Sequence, residues 1–312
     1  MNRVIVTGAN GFVGRHLLKC LMLKNIEVYA IVRQKKAMEE LGDMYDSIHW
    51  IEGDLFDEES SIIQKLEDEG AKGADCIYYL AWSGVAADKK NDYEEQIKNI
   101  TIAKNIIMIA KNIECKRIVN LGTVGEYVSL DGLINEKWIP SPADIYGAVK
   151  VAVRNLLSVQ ASLEKIDVIN TILCSTYGEF RCDDNVISYT IKKLLRGECP
   201  EYGKLEQMWD FLYIEDAALA LYLIGEKGIS GKTYSIGSGI YRHLYEYIEV
   251  IRDMIDPELP LGIGKLGDRY VKVLNSCVDT FQLQKDTGFK PQYSFEEGIS
   301  NTIDYFRRNM GL

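Results

Sequence analysis

Tyr146 and Lys150 stand four residues apart in Tyr146-Gly147-Ala148-Val149-Lys150, and on a helix that spacing puts both side chains on one face. A free tyrosine has a pKa of about 10. A neighbouring ammonium favours the phenolate and lowers that value, so the pair could exchange a proton with a hydroxyl or carbonyl at neutral pH. A surface helix with an incidental Tyr and Lys has the same pattern, so the pair needs a site around it. The segment Thr7-Gly8-Ala9-Asn10-Gly11-Phe12-Val13-Gly14 offers one. Gly8 permits a tight turn, Gly11 lets backbone amides approach a pyrophosphate, and Gly14 lets a helix pack close to a strand. The helix start then presents orphan N–H groups and a partial positive charge to phosphates. Three glycines also suit an ordinary turn; their place between the first strand and first helix selects dinucleotide binding.

The remaining charged candidates are less specific. Where an acid at the end of the second strand would bond the ribose hydroxyls of NAD, this chain has Arg33-Gln34-Lys35-Lys36. Either this is a basic loop, or Arg33 clamps a 2′-phosphate through charge-assisted bonds, which favours NADP(H) and leaves NAD(H) possible. Lys265 and Arg269 could neutralise a substrate pyrophosphate or lie on a solvated surface. His16, His49 and His243 have neither metal-ligand spacing nor a GxSxG partner, so metal and acyl-transfer sites are not expected.

These residues need a scaffold, and the hydropathy pattern supplies it. Apolar runs at 3–7, 27–32, 48–52, 76–81, 117–121 and 168–173 alternate with helical patterns at 12–23, 58–69, 93–112 and 145–163. Short, nearly continuous Val/Ile runs suit strands buried on both faces, and the alternation predicts an α/β fold with a doubly wound parallel Rossmann sheet. After 173 the elements shorten, with helical patterns at 185–196, 244–254 and 295–309 and a strand running into a helix at 211–224. This predicts a dinucleotide domain over 1–173 plus about 211–236, interleaved with a smaller C-terminal substrate domain over 174–210 and 237–312.

The chain has 312 residues and a net charge of −10, which argues against a nucleic-acid partner. Seven cysteines, an odd number without a CxxC pair, read as reduced thiols. The first twenty residues do not read as a secretory signal, and no later stretch has the length of a membrane span. The expected location is the cytoplasm.

The glycine motif, the YxxxK pair and their order along the chain resemble the extended short-chain dehydrogenase/reductase family, in its NAD-dependent epimerase/dehydratase branch. The resemblance extends over nearly the whole chain. It implies that Asp54-Leu55 faces the adenine, that the backbone of Leu80-Ala81-Trp82 lines the cofactor, that Asn99 is a structural Asn, and that Leu121 ends the fifth strand beside the cofactor. It implies also that Thr123, four residues before Tyr127, hydrogen-bonds the reacting oxygen, with Gly122 standing where Ser is usual. Asp54 as a turn residue and Thr123 as a cap are the alternatives. Ser175-Thr176-Tyr177-Gly178-Glu179 is similar to the segment entering the substrate domain, and Asn185 to the residue that holds the substrate diphosphate, or else a helix cap. Trp209 stands where Arg is common; a sub-branch with Trp includes sugar 4-ketoreductases and epimerases making deoxysugars. Val124-Gly125 replace the Asp-Glu with which the family's 4,6-dehydratases eliminate water. The expectation is therefore a nucleotide-sugar 4-ketoreductase or a redox-neutral 4-epimerase. A non-catalytic dinucleotide sensor would tend to lose the Tyr/Lys pair. Residues 93–112 are apolar on more than one face (Ile97, Ile100, Ile107 and Ile102, Ile106, Ile109), and the resemblance implies that this helix and 145–163 form a homodimer interface.

Overall fold

The computed structural model describes all residues except 37, 128–132, 136, 182–184, 268–274 and 312. From the N-terminus the chain runs through β1 (Arg3–Thr7), α1 (Phe12–Leu23), β2 (Glu27–Val32), β3 (His49–Glu52), α2 (Glu59–Asp68), β4 (Cys76–Tyr79), α3 (Tyr93–Asn112), β5 (Arg117–Asn120), α4 (Ile145–Leu163) and β6 (Asp167–Leu173). Then follow β7 (Ser175–Tyr177), α5 (Val186–Leu195), β8 (Met208–Trp209), β9 (Phe211–Tyr213), α6 (Ile214–Lys227), β10 (Thr233–Ile236), β11 (Arg242–His243), α7 (Leu244–Ile255), α8 (Phe281–Thr287) and α9 (Phe295–Met310).

Seven strands form one parallel sheet in the order β10-β6-β5-β4-β1-β2-β3. Side chains alternate across a strand, and here both faces are apolar. Val4 and Val6 join Leu17, Leu18 and Leu21 of α1 and Leu221 and Ile224 of α6 in one core. Ile5, between them, joins Ile62 of α2, Ile102 and Ile106 of α3, and Val153 of α4 in the other. Two-sided burial is why these strands read as runs of Val and Ile. β10 does not, because Thr233 and Ser235 interrupt its apolar residues; the sequence pattern leaves this edge strand unmarked although it pairs along β6 from Asn170 to Leu173.

The chain order reverses between β1 and β4, which opens a crevice at the carboxyl ends of the strands. Over it lie the small sheets β7-β9 and β11-β8, packed by α5, α7 and α9 around an aromatic cluster. In that cluster Tyr247 and Phe295 ring centres are 4.6 Å apart and those of Phe211 and Tyr247 5.0 Å apart. Among the described residues no helix is long and apolar enough to cross a membrane, and the cysteines described are unpaired.

Candidate active site

The glycine loop turns where the spacing requires. Gly8 has φ +63°, and a Cβ there would lie 2.8 Å from the Ala81 backbone nitrogen; at Gly14 a Cβ would overlap the Gly8 carbonyl. Thr7 Oγ1 accepts bonds from both Leu80 N and Ala81 N at 3.1 Å, tying the ends of β1 and β4 together. Gly11 is the N-cap of α1 and has no side chain to satisfy the first-turn amides. This edge opens on a cleft of about 1510 Å³, larger than the usual 300–1,000 Å³ of a single small-ligand pocket. The uncapped amides and the volume fit a dinucleotide with space beside it for a second ligand.

Gly8, Asn10, Gly11, Phe12, Val13 and Gly14 all line the cleft, with Arg33, Asp54 and Leu55 beyond them. Arg33 is exposed just past the end of β2. Asp54 also makes a turn, its Oδ1 accepting from Phe56 N at 2.9 Å. Leu80, Ala81, Trp82 and Leu121 form the wall above β4 and β5. Asn99 lies behind that wall, fully buried, pairing through its side-chain amide with Ser83 N and Ser83 O at 2.8 and 3.1 Å.

Thr123, Tyr146 and Lys150 meet on the same cleft. Asp144 caps α4 by accepting from Gly147 N at 2.7 Å, which sets the helix phase and puts Tyr146 and Lys150 on the inner face. Thr123 caps the turn 124–126 and bonds the Tyr146 hydroxyl. Lys150 Nζ donates to Leu121 O at 2.8 Å and lies 3.7 Å from the centre of the Trp82 ring. The spacing alone suggests that Lys150 lowers the tyrosine pKa; the protein's own groups give the opposite result. Burial pushes Tyr146 up to about 12 against the Thr123 hydrogen bond, and burial takes Lys150 down to about 7 against the pull of Glu126. Desolvation dominates at both groups, and it penalises the phenolate and the ammonium alike.

Ser175 and Asn185 line the same cleft with Trp209. Asn185 is at the same time the cap of α5, accepting from Ser188 N at 2.9 Å. The Trp209 indole N–H is buried and has no hydrogen-bond partner among the described residues. Lys265 is not part of the cleft. The turn that carries it is held to the chain after α5 by Leu266 N to Tyr202 O, and its ammonium lies on the surface 3.5 Å from Glu201 Oε1. Arg269 lies outside the described residues.

The family model of the NAD dependent epimerase/dehydratase family matches residues 4–237. The chain belongs to that family. A curated relative, the dTDP-glucose 4,6-dehydratase of Xanthomonas campestris pv. campestris, is 28% identical over 197 residues, covering 60% of this chain and 55% of its own. The chain thus spans about half the length of the first curated relatives it matches. Among solved structures, a UDP-N-acetylglucosamine 4-epimerase from Methanobrevibacter ruminantium M1 in complex with UDP-N-acetylmuramic acid superposes with TM-score 0.86 at 22% identity, over 99% of each chain. MoeE5 in complex with UDP-glucuronic acid and NAD gives 0.84 at 25% identity, over 99% of this chain and 100% of its own.

Within this family frame, four side chains around the cleft go unmarked by the motifs. Arg181 lines the cleft, donates to Thr176 O at 2.8 Å and lies 5.0 Å over the Phe12 ring; nothing in the local pattern singles it out. Lys90 lies 5.3 Å from the Tyr146 ring centre. Arg154 and Glu126 pair at 3.0 Å behind Thr123, and Arg154 follows Lys150 by the same four residues that separate Lys150 from Tyr146, which is a readable signal.

Proposed function

We propose that this chain is an NAD(P)-dependent enzyme acting on C4 of a nucleotide-linked sugar or deoxysugar, and that it works as a 4-ketoreductase. The observation that carries this reading is the convergence of Thr123, Tyr146 and Lys150 on the cleft that the glycine loop also lines. Gly8, Gly11, Gly14, Leu80, Ala81 and Leu121 would hold the dinucleotide backbone, with Asp54 near the adenine and Arg33 at the ribose. Bound there, a nicotinamide dinucleotide would supply the hydride chemistry at the sugar C4, and its oxidised ring would favour the Tyr146 phenolate. Thr123 orients the sugar oxygen, Tyr146 gives or takes its proton, and Lys150 supports the tyrosine electrostatically.

Two features favour reduction. Burial keeps Tyr146 protonated at neutral pH, the form that donates a proton to a carbonyl. Arg33 suits a 2′-phosphate, and cells keep NADP largely reduced. Elimination of water is disfavoured because Val124 and Gly125 bring no carboxylate to the cleft wall, while Glu126 is turned inward to Arg154. Trp209 in place of an arginine presents an apolar ring suited to a deoxysugar, and two copies pair through α3 and α4.

Incubation with a panel of nucleotide sugars and 4-keto sugars, following nicotinamide absorbance and product identity, tests the assignment. Stoichiometric NADPH consumption with a 4-keto sugar is expected. Interconversion of two 4-hydroxyl epimers without net absorbance change, with NAD co-purifying or NADH binding at least as tightly as NADPH, turns the assignment to the epimerase.

A further inference from the structure

Resting on that reading of Tyr146, Lys150 and Thr123, the geometry points to Glu126 as a positioning residue that, anchored by Arg154, holds Thr123 in place and sets the charge of the Tyr146–Lys150 pair from behind the cleft wall. Glu126 is fully buried and is not among the residues lining the cleft. Its Oε1 accepts from Thr123 N at 3.0 Å, closing the turn whose cap is the Thr123 hydroxyl. Its Oε2 lies 3.0 Å from Arg154 Nη1, in a charge contact without an aligned hydrogen bond.

Tyr146, Lys150 and Arg154 recur every four residues on α4, so one helix face presents a phenol and two cations, and the Glu126 carboxylate meets that row at Arg154. The space for it exists because residue 122 is glycine; a Cβ there would meet Glu126 Oε1 and overlap Thr171 O. Gly122, the departure from the usual serine, and the buried glutamate therefore belong together.

The charges around this carboxylate come from several elements. Burial pushes the Glu126 carboxyl above its ordinary value, and Arg154, the Thr123 amide and Lys150 pull it back towards the charged form. Glu126 in turn pushes Lys150 up, and with Asp144 it pushes Tyr146 up. Lys90 lies on the outer side of the Tyr146 ring. Removing the negative charge of Glu126 favours the deprotonated form of both Lys150 and Tyr146, so both titrations move to lower pH.

Glu126→Gln keeps the shape and the acceptor for Thr123 N while deleting the charge. In the full chain labelled with 13Cε-lysine, with the Lys150 signal assigned by its loss in Lys150→Met, the expected result is a Lys150 midpoint about one pH unit lower than in the unsubstituted protein. The pH profile of kcat/KM moves the same way. Glu126→Asp, the second arm, keeps the charge and withdraws it from Thr123; Lys150 then titrates as in the unsubstituted protein while kcat falls. A Lys150 midpoint unmoved in Glu126→Gln, or displaced equally in Glu126→Asp, overturns the proposal. Because the lysine titration is read without sugar or dinucleotide, its outcome is separate from that of the proposed reaction.

Discussion

At Tyr146 the deciding quantity is desolvation. The half-buried Tyr146 lines the cleft with Thr123 as hydrogen-bond partner, and desolvation pushes its hydroxyl up to about 12, so its resting form is the acid. Tyr146→Phe deletes that proton and leaves the ring against Trp82, whose centre is 5.8 Å away. Dinucleotide binding should then stay nearly intact while turnover drops by roughly 10²–10⁴-fold, as for a lost general acid. Turnover within a few-fold of the unsubstituted enzyme would remove Tyr146 from the chemistry. The YxxxK spacing reveals this residue, but its ionisation is not readable from spacing, since it depends on how much protein closes over it.

For the elements, hydropathy period was a good guide wherever one helix covers one sheet face. The limits of α1, α3 and α4 read from the pattern coincide with those observed. The pattern fails where pairing is brief: β7, β8 and β11 are two or three residues long and are fixed by neighbours distant in sequence. On α3, Ile107, grouped by the sequence pattern with Ile97 and Ile100 on one of two apolar faces, is buried in the protein's own core with Ile102, Ile106 and Ile109. The outward apolar surface is carried more by α4, with Leu156 50%, Val159 64% and Leu163 80% exposed, beside Tyr93 and Ile97 of α3. An apolar stripe of this kind on two adjacent helices suits self-association. Leu156→Glu combined with Val159→Glu should convert a particle of twice 35.4 kDa into a monomer by light scattering, with the fold retained by circular dichroism. A 35.4 kDa species for the unsubstituted chain at micromolar concentration would dismiss the dimer.

Across the whole molecule, α1 is clasped to the loop after β7 at the glycine-loop end of the cleft, and the clasp carries a pH dependence. From α1, Arg15 lies 5.0 Å over the Phe180 ring and His16 Nε2 donates to Glu179 O at 3.2 Å, joining the first helix to the loop after β7. Burial takes His16 from 6.5 down to about 4, so it is neutral at pH 7. As pH falls through 6.5 the unfolded chain binds a proton that the folded chain refuses until about pH 4, and stability present above 6.5 is lost across that window. At about 1.4 kcal/mol per pH unit the loss approaches ~3 kcal/mol. Asp210 works in the opposite sense: it is buried and pushed up to about 6 despite bonds from Ser238, so the folded state gains a proton, and stability, as pH falls from about 6 towards 3.8. The two nearly cancel in the raw stability curve, and a variant comparison separates them. His16→Gln retains a donor for Glu179 O without the titration. Between pH 7 and 4.5, the stability of the unsubstituted protein relative to this variant should fall by about 2–3 kcal/mol, measured by urea unfolding. The His16 ring signal, one of only three histidines, should titrate near pH 4 by NMR. A constant difference between the two proteins, or a His16 midpoint near 6.5, would mean that the clasp opens to water and does not hold the first helix to the loop after β7.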